Sequence, residues 1–373
     1  MSKHSLRVSE LVICLSLFEV GSTTLFFIGS EAKQDAWLAM LIGAFAGLIL
    51  LILHLSIYRQ EPNLDLFQLF RKYMGKYLGS LLNFMFVGYF AYETSRNLRD
   101  LGEVTLLTLL NQTPLWIVCL IAILVVSNTV RYGYKVFFLM CMILFPGMLL
   151  GYTIISIIIP AGGLLHLEYF YPILENGWMP AFKAAIPEII SFPFGQVVLF
   201  LVFYPHARKA KNLRKAVITV YILTALSLTF LNQLIVLVMG HKLASFSTLP
   251  LLESVQLIRL AEVFERMDAL FILLFFLGLG IKMAAFFNGA VIGLERITGI
   301  SFKKWVLPLA AVIYGISFLS PNYTHHIMVG RKVTLNTSSP FFQIVLPLIL
   351  FVVMKITKKW RKNQKKPPKP IDS

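Results

Sequence analysis

Ionisable side chains that interrupt long apolar segments are the residues of this sequence with the clearest chemical potential. One segment carries Glu93, Arg96 and Asp100, and at about 100° per residue they share one helical face with Tyr89 and Glu103. Ionisable groups inside a membrane are costly and usually functional, so this face is predicted to border a path for a polar solute. The alternative is a self-neutralised network that holds helices together. We favour path-lining for Glu93 and Tyr89 and structural pairing for the others.

Another apolar segment contains a single lysine, Lys282, close to its middle. At that depth, a side chain that reaches back to the membrane surface is the weaker interpretation. A buried ammonium needs a carboxylate or a set of carbonyl groups, and acidic residues of other apolar segments are its candidate partners: Glu19, Glu93 and Glu188. A fixed ammonium would also stand in place of a coupling cation, which suits a proton-linked or uncoupled protein.

The overall composition shows why these charges must lie inside a membrane. The 373 residues are 57% hydrophobic and 14% charged, against about 25% charged in an ordinary soluble domain. Soluble domains are therefore excluded, and the three cysteines, all inside apolar runs, exclude a disulfide scaffold. The seven histidines form no metal-ligand spacing, and no phosphate-binding loop, Gly-x-Ser-x-Gly or His-Glu-x-x-His motif occurs. We expect no enzymatic activity, no cofactor and no metal.

Ten apolar segments approach the roughly 20 residues that a membrane-spanning helix uses. They cover about 9–29, 36–58, 78–110, 115–130, 136–160, 184–204, 216–239, 268–289, 305–320 and 339–355. With the N-terminus inside, the connections predicted to be cytoplasmic carry 24 Lys and Arg, and those predicted to be outside carry 7. This asymmetry predicts two cytoplasmic termini and explains the net charge of +16 without a nucleic-acid partner.

Two of the connections predicted to be outside are longer than simple turns. Residues 161–183 are rich in Gly, Pro and aromatic side chains. Residues 246–266 mix apolar and polar positions at helical spacing: Leu249, Leu252, Val255, Gln256, Arg259 and Leu260. We interpret this second connection as a short helix that lies over the outer mouth of the protein, and an ordinary surface helix in a loop is the alternative.

The ten segments divide into five and five, and each half opens with an interrupted segment. Residues 21–24 (Gly-Ser-Thr-Thr) and residues 192–195 (Phe-Pro-Phe-Gly) fall at corresponding places. An unwound backbone there would offer free N–H groups to an anion and free carbonyl groups to a cation, as an amino acid requires. The alternative is that both segments are ordinary membrane helices and that Gly21 only permits close packing.

Five short motifs follow one another in a specific order along nearly the whole chain. They are Gly21-Ser22-Thr23, Gln34-Asp35-Ala36-Trp37, Arg96-Asn97-Leu98-Arg99-Asp100 before the Thr113-Pro114 turn, Phe192-Pro193-Phe194-Gly195, and Gly280-Ile281-Lys282. In order and spacing they resemble the permease-like B subunits of bacterial spore germinant receptors. That family belongs to the amino acid–polyamine–organocation superfamily.

The resemblance implies an all-α integral membrane fold with ten transmembrane helices, a LeuT-like 5+5 inverted repeat in which helices 1 and 6 are broken. It implies a nutrient site between helices one, three, six and eight. It also implies a sensor that works with a larger membrane A subunit and a lipoprotein C subunit in the inner membrane of the spore. The family has an acidic residue after the Phe-Gly of the sixth helix, whereas Gln196 stands here, which puts a carboxylate–amine contact at this point in doubt.

The predicted site has two parts and no catalytic residue. The predicted ligand-binding residues are Gly21, Ser22, Thr23, Tyr89, Glu93, Phe192, Phe194 and Gly195. The predicted ion site or charge network consists of Glu19, Arg96 and Lys282.

We expect one transmembrane domain, 1–373, with repeats at about 9–160 and 184–355 and a basic cytoplasmic tail at 356–373. Its expected function is to bind a small nutrient, an amino acid or a sugar, in a transporter-like core and to trigger germination. A proton-linked or uncoupled amino acid permease is the first alternative. A pore gated by the polar face of the third segment is the second, and the fold alone does not separate the three.

Overall fold

The computed structural model describes residues 5–207, 212–257 and 267–364, and these residues are predominantly helical. The α-helices are α1 (Val8–Val20), α2 (Ala36–Gln60), α3 (Leu66–Met74), α4 (Lys76–Thr108), α5 (Leu115–Arg131), α6 (Tyr134–Ala161), α7 (Met179–Ala184), α8 (Leu213–Phe246), α9 (Pro250–Gln256), α10 (Met267–Thr298), α11 (Phe302–Ser317), α12 (Tyr323–Val329) and α13 (Leu346–Gln364). No β-strand occurs in these three ranges, although an isolated β-bridge joins Leu6 to Ala207.

Seven helical stretches of the described chain are long and apolar enough to cross a membrane. They are Val8–Leu25, Ser30–Gln60, Tyr134–Ala161, Met179–Leu201, Leu213–Phe246, Asp268–Thr298 and Tyr323–Trp360. Their lengths, 18 to 38 residues, suit a hydrocarbon core that a helix of about 20 residues spans. The chain therefore has the architecture of a multi-pass helical membrane protein.

Three further helices coincide with predicted membrane segments but differ from these seven. The helix α4 is long, at 33 residues, and its charged side chains reduce its apolar character. The helices α5 and α11 are short, at 17 and 16 residues. The charge of α4 and the shortness of α5 and α11 account for the difference between the seven apolar stretches and the ten predicted segments.

The last membrane segment begins earlier than the sequence predicted. Hydropathy placed its start at residue 339, after an outside connection, whereas the helical stretch runs from Tyr323 to Trp360. The side chain of Asn322 caps its first turn by accepting a hydrogen bond from the backbone N–H of His325 at 2.8 Å. Two π-helical stretches, Gly330–Ser338 and Phe341–Val345, lie within it. Backbone hydrogen bonding thus continues the helix through a polar stretch that hydropathy alone assigned to a loop.

The first membrane segment is broken near its middle, as the sequence predicted. The helix α1 ends at Val20, and Gly21 departs from helical geometry with φ −1° and ψ −97°. A 3₁₀ turn follows at Thr23–Leu25. The Thr23 hydroxyl donates to the carbonyl oxygen of Glu19 at 2.5 Å, which satisfies one of the carbonyl groups that a helix end leaves free.

The segment that begins with α7 is broken in the same way. A π-helical stretch, Ala185–Ile189, extends α7, the chain turns at Phe192 and Pro193, and a 3₁₀ helix continues at Phe194–Leu201. Because proline has no N–H, Pro193 leaves a carbonyl of the preceding turn without its helical donor. Both interruptions predicted from sequence are therefore present in the backbone.

The helix α10 is central to the described bundle and packs along α4, with further contacts to α1, α6 and α11. Glycines permit its closest approaches. A Cβ at Gly293 would lie 2.5 Å from Cγ2 of Val87. At the first break, the backbones of Gly21 and Gly278 touch directly, since a Cβ on Gly278 would lie 2.8 Å from the Gly21 carbonyl oxygen. This contact holds the broken end of α1 against α10.

Two short helices complete the described part. The helix α3 was not predicted, and it is capped by Asp65, whose side chain accepts a hydrogen bond from the backbone N–H of Gln68 at 2.9 Å. The helix α9 confirms the short helix predicted in 246–266, but its Leu252 and Val255 are buried, so it packs into the bundle rather than lying on a surface. Arg259 and Leu260, part of the same prediction, lie outside the described residues.

Candidate functional site

A cavity of about 230 Å³ lies between the two helix breaks, the polar face of α4 and the long helical stretch that begins at Tyr323. A single water molecule needs only roughly 10–15 Å³ of such space, so the cavity has room for a small organic molecule. Its polar lining comes mainly from three places: Ser22 at the first break, Glu93, Arg96, Asn97 and Asp100 on α4, and Gln196 at the second break.

Glu93 is the centre of the hydrogen bonds on the cavity lining. Its Oε2 accepts a hydrogen bond from Nε2 of Gln196 at 3.0 Å, and both side chains are buried. Its backbone carbonyl accepts a second hydrogen bond, from Nδ2 of Asn97 at 2.7 Å. The contact explains the departure at position 196: a second carboxylate there would repel Glu93, whereas the amide donates to it.

Several buried oxygens of the lining have no hydrogen-bond partner among the described residues. They are Oε1 of Glu93, Oδ1 of Asn97, Oδ1 of Asp100 and Oε1 of Gln196. Nε2 of His326 lies 3.3 Å from Oδ1 of Asp100, in a contact without hydrogen-bond alignment. Buried acceptors left unpaired are unfavourable, so this lining is suited to a ligand with hydrogen-bond donors.

Arg96 supplies a positive charge close to these acceptors. Its Nη1 donates to the carbonyl oxygen of His326 at 3.3 Å, and its guanidinium packs against the backbone of Gly330. No carboxylate of the described chain forms an ion pair with it. The ion pair of α4 is formed instead by Arg99 and Glu103, at 2.7 Å. Asp100 and Glu93 act on this guanidinium electrostatically without forming an ion pair, so it can still donate to a carboxylate that enters the cavity.

Ion pairs close the more exposed end of the cavity. Nε of Arg331 lies 3.1 Å from Oε2 of Glu188, and its Nη2 lies 3.1 Å from Oε1 of Glu31. Arg331 and Glu188 line the cavity and are partly exposed. Three separate segments thus meet through one arginine at the mouth of the cavity.

Four of the predicted site residues line this cavity: Ser22, Glu93, Arg96 and Phe192. The others have packing contacts instead. The backbone of Gly21 lies against Gly278, Phe194 packs on Tyr221 with ring centroids 5.7 Å apart, and a Cβ on Gly195 would meet the side chain of Gln343.

Tyr89 and Thr23 are held by hydrogen bonds outside the cavity lining. The Tyr89 hydroxyl accepts a hydrogen bond from Nε2 of Gln343 at 2.7 Å, and its ring stacks on Phe342 at 4.6 Å. Thr23 donates to the backbone, as described above, and borders a separate small pocket near α8. Of the predicted polar face, Glu93, Arg96 and Asp100 therefore reach the cavity and Tyr89 does not.

Glu19 and Lys282 are not part of the cavity lining: Glu19 lies in the last turn of α1, and the Lys282 side chain packs against Gly21 at the first break. Both are buried, and neither carboxylate oxygen of Glu19 nor Nζ of Lys282 has a hydrogen-bond partner in the described part of the chain. Nζ of Lys282 lies 4.5 Å from the ring centroid of Phe192 and 5.4 Å from that of Phe18. No hydrogen bond joins Lys282 to Glu19, so their predicted pairing stays a prediction.

The sequence reasoning did not identify several residues that shape this region. Gln343 is fully buried, and its Nε2 donates both to Tyr89 and to the carbonyl oxygen of Ser191, at 3.1 Å, beside the second break. A lone amide between apolar residues was the available signal. His326 and the pairing of Arg331 left no local signal, because their partners are far away in the sequence. No cluster of His, Cys, Asp and Glu suited to a metal occurs in the residues that the structure describes.

These features define a class of protein: a multi-pass helical membrane protein whose two broken helices border a polar internal cavity. Within that class, a model of the family described as "Spore germination protein" matches residues 5–326. The chain belongs to this spore germination protein family, which confirms the resemblance drawn from its motifs.

Relatives with similar sequences carry the same description. The chain is 30% identical to spore germination protein KB of Bacillus subtilis (strain 168) over 372 residues, which cover 98% of each protein. It is 23% identical to spore germination protein YndE of the same organism, over 98% of this chain and 99% of that protein. It is 25% identical to spore germination protein B2, again of Bacillus subtilis (strain 168), over 91% and 95%. None of these names denotes an enzyme.

Proposed function

We propose that this chain is the nutrient-sensing membrane subunit of a spore germinant receptor. It binds a small nutrient, an amino acid or a sugar, in the cavity between the helix breaks and thereby triggers germination. The observation that carries the proposal is the set of unpaired, buried acceptor oxygens on the cavity lining, in a chain of the spore germination family. The chain binds and signals rather than catalysing a reaction.

The chemistry of the lining supports a ligand rich in hydrogen-bond donors. An ammonium group or several hydroxyl groups would satisfy the free oxygens of Glu93, Asn97 and Gln196. Arg96 would bind a carboxylate on the same ligand. Ser22, Glu93 and Phe192 would touch the ligand, while Gly21, Thr23, Tyr89, Phe194 and Gly195 support the shape of the two breaks.

The architecture that goes with this function is a single transmembrane domain with a ten-helix, LeuT-like inverted repeat. In this proposal α4, α5 and α11 cross the membrane together with the seven apolar stretches. The first helix of each repeat is the one that contains a break. The charge asymmetry between connections supports cytoplasmic termini. The protein would reside in the inner membrane of the spore, with the A and C subunits of the receptor as its partners.

Signalling follows from differential affinity for two conformations. A ligand that binds one arrangement of the broken helices more tightly than the other shifts the population toward it, by no more than that difference in binding free energy. The partly exposed ion pairs of Arg331 suit such a change, since exposed pairs contribute only about 0–1 kcal/mol each and break readily.

Thermal unfolding of the purified chain with a panel of amino acids, sugars and nucleosides tests the proposal. A ligand at about 100 times its dissociation constant adds about 2.7 kcal/mol to the free energy of unfolding. Glu93→Gln should weaken binding about 10- to 150-fold, since a hydrogen bond to a charged group is worth about 1.5–3 kcal/mol. Glu61→Gln is the matched control, because Glu61 binds Lys72 away from the cavity. Binding that survives Glu93→Gln unchanged would place the ligand elsewhere.

A proton-linked or uncoupled amino acid permease is the second candidate. The observation that favours it is the buried, unpaired Lys282 beside the first break, where a fixed ammonium takes the place of a coupling cation. Uptake of a bound amino acid into sealed liposomes would establish transport. Binding without uptake would support a receptor that uses a transporter-like core only for sensing.

A further inference from the structure

Lys282 is buried without the partner that an ammonium group requires. Its side chain has no exposed surface, and Nζ donates no hydrogen bond to any described residue. The faces of Phe192 and Phe18 attract a cation, but such contacts do not replace a hydrogen-bonded counter-ion. An unpaired buried charge is strongly unfavourable, so this group needs an acceptor whenever it is protonated.

One carboxylate with a free oxygen belongs to the cavity that Phe192 also lines, and another belongs to the end of α1 against which the Lys282 side chain packs. Glu93 lines the ligand cavity and keeps Oε1 unpaired. Glu19 lies on the last turn of α1, at the break, and both of its oxygens are unpaired. Asp100 acts on the same ammonium less strongly. The positive charge therefore has two alternative partners and is hydrogen-bonded to neither.

The backbone beside Lys282 is packed so that a movement of its side chain would be transmitted. A Cβ on Gly21 would lie 2.9 Å from Cδ of Lys282, so the aliphatic part of the lysine rests on the first break. Gly278, one turn away on α10, touches the same glycine. A change of partner by the ammonium therefore moves a side chain that packs on the end of α1.

We propose that Lys282 couples the cavity to the break in α1: its ammonium is shared between Glu93 and Glu19, and a ligand whose own cationic group binds Glu93 transfers it to Glu19. This inference rests on the proposed function and adds to it, because it requires that the ligand carry an amine. Lys282 acts here as a positioning residue, since it is not part of the cavity lining and its Nζ contacts the ring of Phe192, which is.

The proposal assigns opposite effects to two substitutions. In Lys282→Met, Glu93 loses its competing cation, so an amine-bearing ligand should bind more tightly, by at least about fivefold. In Glu19→Gln, the ammonium loses its second partner and competes more strongly for Glu93, so the same ligand should bind more weakly by a similar factor. In the double variant the effect of Glu19→Gln should vanish, because Glu19 acts only through Lys282.

Ligand binding is measured by calorimetry on the purified full-length chain in lipid nanodiscs. The probes are the L-amino acids, their deaminated carboxylic acids, and neutral hexoses. The matched controls are Lys72→Met and Glu61→Gln, the same substitutions on an exposed ion pair with an N–O distance of 2.6 Å, which should leave affinity unchanged. If Lys282→Met does not fold, Glu19→Gln and the charge-balanced double variant still test the predicted direction of the change in ligand affinity.

The outcomes separate this inference from the function on which it rests. Opposite changes in affinity for an amino acid, absent for its deaminated acid, support the coupling. Changes of the same sign, or none, overturn it and leave Lys282 a structural residue. Binding of hexoses alone overturns the inference but retains a nutrient site, whereas binding of no probe overturns both.

Discussion

Single polar residues in this protein fall into two groups according to whether the fold satisfies them. Gln343 is an example of the first, because its amide joins Tyr89 to the carbonyl oxygen of Ser191 at the second helix break. Glu93 represents the second, because one carboxylate oxygen is bonded to Gln196 and the other is free in the cavity. The first group fixes the shape of the breaks, and the second is available to a ligand.

The role of Gln343 predicts a loss of stability on substitution. Gln343→Leu would leave the Ser191 carbonyl and the Tyr89 hydroxyl without their donor, and each unsatisfied buried group costs about 1–3 kcal/mol. The expected result is a lower unfolding midpoint of the purified protein in detergent. Gln256→Leu, at an exposed position of α9, is the control and should leave the midpoint nearly unchanged. Equal midpoints for both variants would contradict the bridging role.

Among the elements, the contact between the end of α1 and α10 depends on two glycines in van der Waals contact. A helix gains up to about 1 kcal/mol when an interior glycine becomes alanine, unless the new methyl group meets an obstacle. At Gly278 that methyl group would meet the backbone of Gly21, whereas at Gly280 no atom lies within 4 Å. The two neighbouring glycines of α10 therefore make a matched pair.

Gly278→Ala should destabilise the protein and Gly280→Ala should leave its stability unchanged or raise it. The physical reason is the Gly21 carbonyl oxygen, 2.8 Å from the Cβ that alanine would add at position 278. Unfolding midpoints of the two variants, measured side by side, check the expectation. A loss of stability at position 280 as large as that at 278 would show that the contact is not specific.

Most of the long helices were predictable from the sequence, because apolar segments of this length are typical of membrane-spanning helices. Segments predicted at 78–110, 115–130 and 136–160 agree within two residues with α4, α5 and α6. The helix breaks were predictable as well, since Gly and Pro act on the backbone locally. By contrast, α3 and the helical turn at Tyr323–Val329 are short or polar and leave no hydropathy signal.

The composition of the cavity was predictable only in part, because most of it depends on contacts between distant segments. Glu93 and Arg96 were identified as charges in an apolar run. The hydrogen bond from Gln196 to Glu93 spans 103 positions of the sequence, and the one from Gln343 to Tyr89 spans 254 positions. No local sequence pattern predicts either of them. Tyr89 shares the predicted face but faces Gln343 instead of the cavity.

For the whole molecule, the distribution of charge predicts the orientation in the membrane, and the native cysteines make it measurable. Cys14, Cys119 and Cys141 are all buried, so they should react little with a polar thiol reagent. Tyr171, on the connection predicted to be outside, is 66% exposed, and Lys358 near the basic tail is also exposed. A cysteine placed at either position would report its side of the membrane.

In right-side-out vesicles, Tyr171→Cys should react with a membrane-impermeant maleimide without permeabilisation. Lys358→Cys should react only after the membrane is opened, because the excess of Lys and Arg retains that end in the cytoplasm. The unsubstituted protein is the control for background labelling. The reverse pattern would invert the proposed topology, and labelling of both variants from outside would require an even number of crossings between them.

The long helical stretch Tyr323–Trp360 joins Arg331 at the cavity mouth, Gln343 beside the second break and the basic end of the chain in one continuous body of 38 residues. At about 1.5 Å per residue it is roughly 55 Å long. Over that length, a tilt of the whole stretch by about 5° moves one end by about 5 Å relative to the other. The stretch would therefore act as a lever arm. A small rotation at the cavity mouth would become a displacement of several ångströms at the basic end of the chain.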